Sequence, residues 1–157
     1  MKKLLIALLV AASLLVSRSF ARDEKTALEE FKKDVAAMKA WADEKEKTFG
    51  ADPLAKLHAI GEMVEKIKGI NTDGLPADLK DAWTAVLGNF TQVATLAATL
   101  PNDPAEVQKK LTDPETQKAF GTQMMTIQKE MVPNMAKLKA AADKYGIEGL
   151  GKMGGGK

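Results

Sequence analysis

ADLKDAWTAVLGNFTQVATLAATL, residues 77–100, decides the class of fold. Leu79, Trp83, Val86, Phe90, Val93, Ala97 and Leu100 recur at intervals of four and three. That period places side chains on one face of an α-helix. The spacing predicts a helix from about Pro76 to Leu100, stopped before Pro101. Leu79, Trp83, Val86, Phe90 and Val93 are expected to form its buried face.

The same period continues on both sides. Upstream, Asp52-Pro53 reads as an N-cap with a first-turn proline. The helix it opens carries Leu54, Leu57, Ile60, Val64 and Ile67 on one face. Gly69 and the turn residues Asn71-Thr72-Asp73-Gly74 stop it. Further upstream, Leu28, Phe31, Val35, Met38, Ala42 and Phe49 line a helix from about Asp23 to Phe49, with charged residues opposite. Downstream, Asn102-Asp103-Pro104 opens a short helix to about Leu111. Asp113-Pro114 then opens a long one to about Tyr145, with Phe120, Met124, Ile127, Met131, Met135, Leu138, Ala142 and Tyr145 in its stripe. Pro133 removes one rung of that helix's hydrogen-bond ladder on the side away from the stripe, and is expected to bend it around the core.

Four amphipathic helices joined by short or capped links predict an antiparallel up-down four-helix bundle over residues 22–145. A short extra helix lies between the third and the fourth. The second helix is shorter than its neighbours, so one end of the bundle is expected to be left to the first, third and fourth. Residues 146–157, ending Gly154-Gly155-Gly156-Lys157, read as a flexible tail.

The first 21 residues have a different character. Lys2 and Lys3 precede an apolar run from Leu4 to Val16, broken only by Ser13. The run falls short of the roughly 20 residues a spanning helix requires. Ser19-Phe20-Ala21 puts small residues at the −3 and −1 positions of a cleavage site. Residues 1–21 therefore read as a signal peptide cut after Ala21. The expected destination is the periplasm or the extracellular space, with no stable membrane span after cleavage.

Export sharpens what composition says. Loss of Lys2, Lys3 and Arg18 turns a net charge of +2 into one close to neutral. Arg22 is then the single arginine. Such a chain lacks the positive field that nucleic-acid backbones require, so nucleic acid is not an expected partner. There is no cysteine, so the exported body rests on packing without disulfides. All three serines lie in the leader. Nucleophilic catalysis would fall to threonine, lysine or carboxylates, and none stands in a recognisable constellation. Nearly all Asp and Glu fall on outer faces or caps, which leaves no paired-carboxylate site for acid–base work.

Two residue groups have metal-ligand chemistry. His58, the single histidine, shares the outer face of the second helix with Glu62 and Glu65, and imidazole with carboxylates can hold zinc. The plainer reading is a solvated imidazole beside an i,i+4 carboxylate. Met124, Met131 and Met135 share a face of the last helix, and thioethers suit Cu(I); the plainer reading is core filling. The chain has no Cys-x-x-Cys-His for covalent haem attachment. Trp83 lies mid-stripe and reads as core. Trp41 lies on the flank of the first helix's stripe, where it serves either as a boundary packing residue or as a contact for a partner. No catalytic residue and no cofactor is expected. The sequence reading is an exported, non-enzymatic binding or structural protein, with a protein partner or self-association possible. Its alternative is a bundle carrying non-covalent haem or Cu(I).

Overall fold

The structure is a computed structural model that describes residues 22–49, 53–101, 103–148 and 150. The expected leader, residues 1–21, lies outside the described residues. Among them the chain is all-helical, with five helices: α1 (Glu24–Phe49), α2 (Pro53–Lys68), α3 (Ala77–Ala97), α4 (Pro104–Thr112) and α5 (Pro114–Lys144). None of these is long and apolar enough to cross a membrane.

Local chemistry sets the ends. Asp23 Oδ2 accepts from the Thr26 amide at 3.2 Å and opens α1. Asp103 caps α4 by accepting from the Ala105 and Glu106 amides. Asp113 caps α5, accepting from the Thr116 amide at 2.8 Å and the Thr116 hydroxyl at 2.7 Å. Asp103-Pro104 and Asp113-Pro114 are two of the Asp-Pro starts read from the sequence; Asp52, which would cap α2, lies outside the described residues. The Asp113 carboxyl is held below its ordinary value by the Thr116 hydroxyl and amide. α3 closes at Ala97, and i→i+3 bonds from Thr99 to Leu96 and from Leu100 to Ala97 carry the chain on to Pro101. α5 runs through Pro133 without a break, with that ring on the exposed side.

Sixteen buried residues form the larger core. Ala27, Phe31, Val35 and Met38 come from α1, Ile67 from α2, and Ile70 and Leu75 from the loop that follows. Leu79, Ala82, Trp83 and Val86 come from α3, and Leu138, Ala141 and Ala142 from α5. The start of α1, the end of α2, the start of α3 and the end of α5 therefore meet; we call this the near end. Phe31 meets Trp83 edge to face, with ring centroids 4.9 Å apart. Gly74 is needed in the α2–α3 loop. Its φ of +81° suits glycine, and a Cβ there would lie 2.7 Å from the Arg22 carbonyl oxygen.

The chain does not end its packing at Tyr145. Gly146, at φ +63°, terminates α5, and the Ile147 amide bonds the Ala142 carbonyl at 2.8 Å. This left-handed cap turns the backbone onto the body. Ile147 and Leu150, which the sequence reading gave to the flexible tail, are consequently buried at 5 % and 1 % exposure. Two apolar residues in a Gly-rich stretch are too few for periodicity to reveal. Residues 151–157 lie outside the described residues.

α3 and α5 run antiparallel. Asp78 reaches Lys144 and Tyr145, and farther along Asn89 bonds Asn134. The seam between them differs from the expected stripe. Asn89 is buried at 3 % exposure, whereas Phe90 is half-buried. Strict seven-residue spacing, as in Leu79–Val86–Val93 and Ala82–Asn89–Leu96, drifts by about 20° per heptad around a straight helix. Asn89 falls on that seam, while half-buried Phe90 packs on the near-end core beside Trp83.

The other end of the molecule, the far end, has a smaller core of Val93, Leu96 and Ile127. Ile60, Phe120, Met124 and Met131 pack on it half-buried. It is built from α2, α3 and α5. Among the described residues α1 adds no side chain to this cluster. After Met38, Trp41, Ala42 and Lys45 are half-buried and the rest of residues 43–48 exposed, while the side chains of Phe49, Leu54 and Leu57 lie outside the described residues. α1 packs along α2, and α2 along α3.

Candidate functional site

The carboxylates singled out on α2 are engaged with lysines. Glu62 pairs with Lys45 of α1 at 2.7 Å, and Glu65 with Lys68 at 2.7 Å. The His58 side chain lies outside the described residues. Among those described, no three His, Cys, Asp or Glu side chains converge as metal ligands. The three methionines of α5 divide between the cores: Met124 and Met131 pack on the far-end cluster, and Met135 on the near-end one. Their sequence spacing is helical, but the contacts are those of packing side chains.

Trp41 is half-buried, with Lys45 Nζ 5.7 Å and Lys66 Nζ 5.2 Å from its ring centroid. Cation–π contacts of this length tie α1 to α2. They use the ring within the molecule, as the boundary-packing reading expects. Trp83 is core as expected, at 3 % exposure. Its indole N–H has no acceptor among the described residues. Beside it lies an apolar void of about 10 Å³, bounded also by Phe90, Met135 and Leu138.

Two surfaces stand out from this background, both on the far half of α3 and α5. The first is apolar. Next to half-buried Phe120, Met124 and Met131, Met125 is 58 % exposed and Val132 71 % exposed. Met125 and Val132 are seven residues apart, on one flank of α5.

The second surface is a groove of about 470 Å³ on the outer side of the α3–α5 seam. Leu96 and Ile127 lie at its base, and Thr91, Thr95, Thr99, Thr122 and Thr126 supply much of its wall, with Gln92, Gln123 and Glu130. Every one of those hydroxyls donates to a backbone carbonyl of its own helix. The distances are 2.8 Å from Thr91 to Leu87, 2.9 Å from Thr95 to Thr91 and 2.7 Å from Thr99 to Leu96. On α5 they are 2.8 Å from Thr122 to Lys118 and 3.0 Å from Thr126 to Thr122. Sequence reasoning passed over these residues. The four-residue spacing was visible, but its meaning depends on α3 and α5 being neighbours.

A second groove, about 460 Å³, continues the seam toward the near end between Asp78, Ala85, Asn134 and Lys137. It ends at a polar latch. Asp78 accepts from Lys144 Nζ at 2.7 Å and from the Tyr145 hydroxyl at 2.8 Å. The Lys144 hydrogen bond, then that of Tyr145, holds the Asp78 carboxyl below its ordinary value. The same contact with Asp78 raises the Lys144 ammonium. Midway, the Asn134 amide donates to Asn89 Oδ1 at 2.8 Å. An amide pair with one member buried fixes the register of two helices, since sliding either one leaves the buried Asn89 unpartnered.

Comparison with protein-family models, with curated proteins and with solved structures gives no match.

Proposed function

We propose that this chain is an exported, non-enzymatic helical protein that works by holding a protein partner at its far end. The observation that carries the reading is the exposed apolar flank of α5 there. Met125 and Val132 stand exposed beside half-buried Phe120, Met124 and Met131. Clustered exposed apolar side chains mark interaction surfaces more often than isolated ones do. Methionine adapts its shape to a partner at low cost.

Export is supported by the two lysines, the short apolar run and the Ser19-Phe20-Ala21 site in residues 1–21. An antiparallel up-down four-helix arrangement is supported by the meeting of alternate helix ends at the near end, with α4 bracing α5. A near-neutral body with a single arginine favours a protein over a nucleic acid as the partner.

A photo-crosslinking residue at Met125, introduced in the native host, tests the partner. It is expected to give one discrete crosslinked product that the second substitution Val132→Glu removes. The same probe at exposed Lys33 of α1 is expected to give none. Equal products from both positions would overturn the reading. Export is tested separately by the N-terminus of the exported fraction: the expected first residue is Arg22, and retained Met1 on a membrane-bound chain would refute it.

A further inference from the structure

We propose that the threonine-walled groove between α3 and α5 binds a linear aliphatic amine through its ammonium groups. The argument begins with protons. All five wall hydroxyls give their hydrogen to a backbone carbonyl. Their oxygens are therefore left to accept. Glu130 adds a carboxylate, and no lysine or arginine lines the groove. An ammonium is the complementary group, because it carries three donors and no acceptor. A phosphate or carboxylate would find side-chain donors only in the amides of Gln92 and Gln123, beside the repelling Glu130 carboxylate.

The two ends of the groove favour positive charge independently. The antiparallel register set by Asn89 and Asn134 puts Glu130 beside the Thr91 end. The opposite end is the C-terminus of α3, where the helix dipole attracts cations. That end already holds an ammonium of the protein's own: Lys110 Nζ, reaching over from α4, donates to the Thr99 carbonyl at 2.7 Å. From Thr91 to Thr99 the helix rises about 12 Å at 1.5 Å per residue. An eight-carbon diamine is of comparable length. Its methylenes would lie on the threonine methyls and on Leu96 and Ile127, with one ammonium at Glu130 and the other displacing Lys110. The groove lies on the seam side of α5, apart from Met125 and Val132, so this inference does not rest on the protein-partner reading.

The test is a backbone amide titration of the purified protein with diaminooctane, and with octanediol as its uncharged counterpart. Shifts are expected at Thr91, Thr95, Thr99 and Thr126 with the diamine and not with the diol. Glu130→Gln is expected to weaken the diamine at least ten-fold. Thr95→Val, which keeps shape and removes an acceptor, is expected to weaken it several-fold. Lys110→Met is expected to tighten it several-fold by freeing the Thr99 carbonyl, whereas Lys109→Met leaves it unchanged. An equal response to the diol, an affinity indifferent to Glu130→Gln, or equal tightening by both lysine variants would overturn the proposal.

Discussion

The two ends of this molecule share α2, α3 and α5 and the same kinds of residue, yet among the described residues one core is far larger than the other. At the near end, three helices, the loop after α2 and the chain beyond α5 converge with α1 on Phe31 and Trp83. At the far end, among the described residues, no α1 side chain joins the core, and three buried residues carry four half-buried ones. The difference is one of cover. A stripe of correct period builds a core only where a second layer arrives to remove the other side from water.

The sharpest way to break this comparison is to truncate a phenylalanine at each end. Phe31→Ala should cost about 3–5 kcal/mol, the range for a fully buried aromatic. Phe120→Ala, on a half-buried side chain, should cost about 1–2 kcal/mol, since less area returns to water. Chemical denaturation of the two variants measures both; equal losses would mean that the far end is as well covered as the near one.

The seam between the ends offers the next effect. Asn134→Ala leaves Asn89 buried without its partner and should cost about 2 kcal/mol. Asn89→Ala should cost less, because Asn134 lines an open groove where water can replace the lost bond. If the order were reversed, the pair would not be serving as a buried register lock.

The latch at the near end should respond to pH. Asp78 has a lowered pKa in the folded protein, so its contribution is present above the ordinary carboxylate value of about 4. It is lost as pH falls through the lower folded value. Lys144 has a raised pKa, so its contribution is present below the ordinary lysine value of about 10.4 and is lost as pH rises through the folded one. Both groups are exposed, and the effect should be small and salt-sensitive. Asp78→Asn should flatten the acid limb of a Tm–pH curve, and an unchanged limb would count against the latch. Val132→Ser should show the smallest effect, within about 0.5 kcal/mol, because an exposed side chain has little burial to lose.

Much of the helical frame was legible in the sequence, because caps and stripes are local. Asp103-Pro104 and Asp113-Pro114 announce their helices through hydrogen bonds spanning three residues. Leu79, Trp83 and Val86 announce a face by period alone. What stayed hidden depends on partners distant in the chain. Phe90 outranks Asn89 by hydropathy, and only the facing Asn134 makes the polar residue the better one to bury. Ile147 and Leu150 become core because Gly146 turns the backbone, which a tail rich in glycine does not disclose. The threonine groove needs two helices brought side by side, although each half has its spacing written in plain order.

The glycine under Arg22 and the left-handed cap at Gly146 have a joint consequence for how the molecule can be held. One brings the first described residue against the α2–α3 loop, and the other folds the chain past α5 onto the same pole. Arg22 and Leu150 thus sit at a single pole. A tether joined at Arg22 or at Leu150 grips the tightly packed pole and points the far one away from its support. A body held by either residue leaves free the surfaces on which its proposed activities depend.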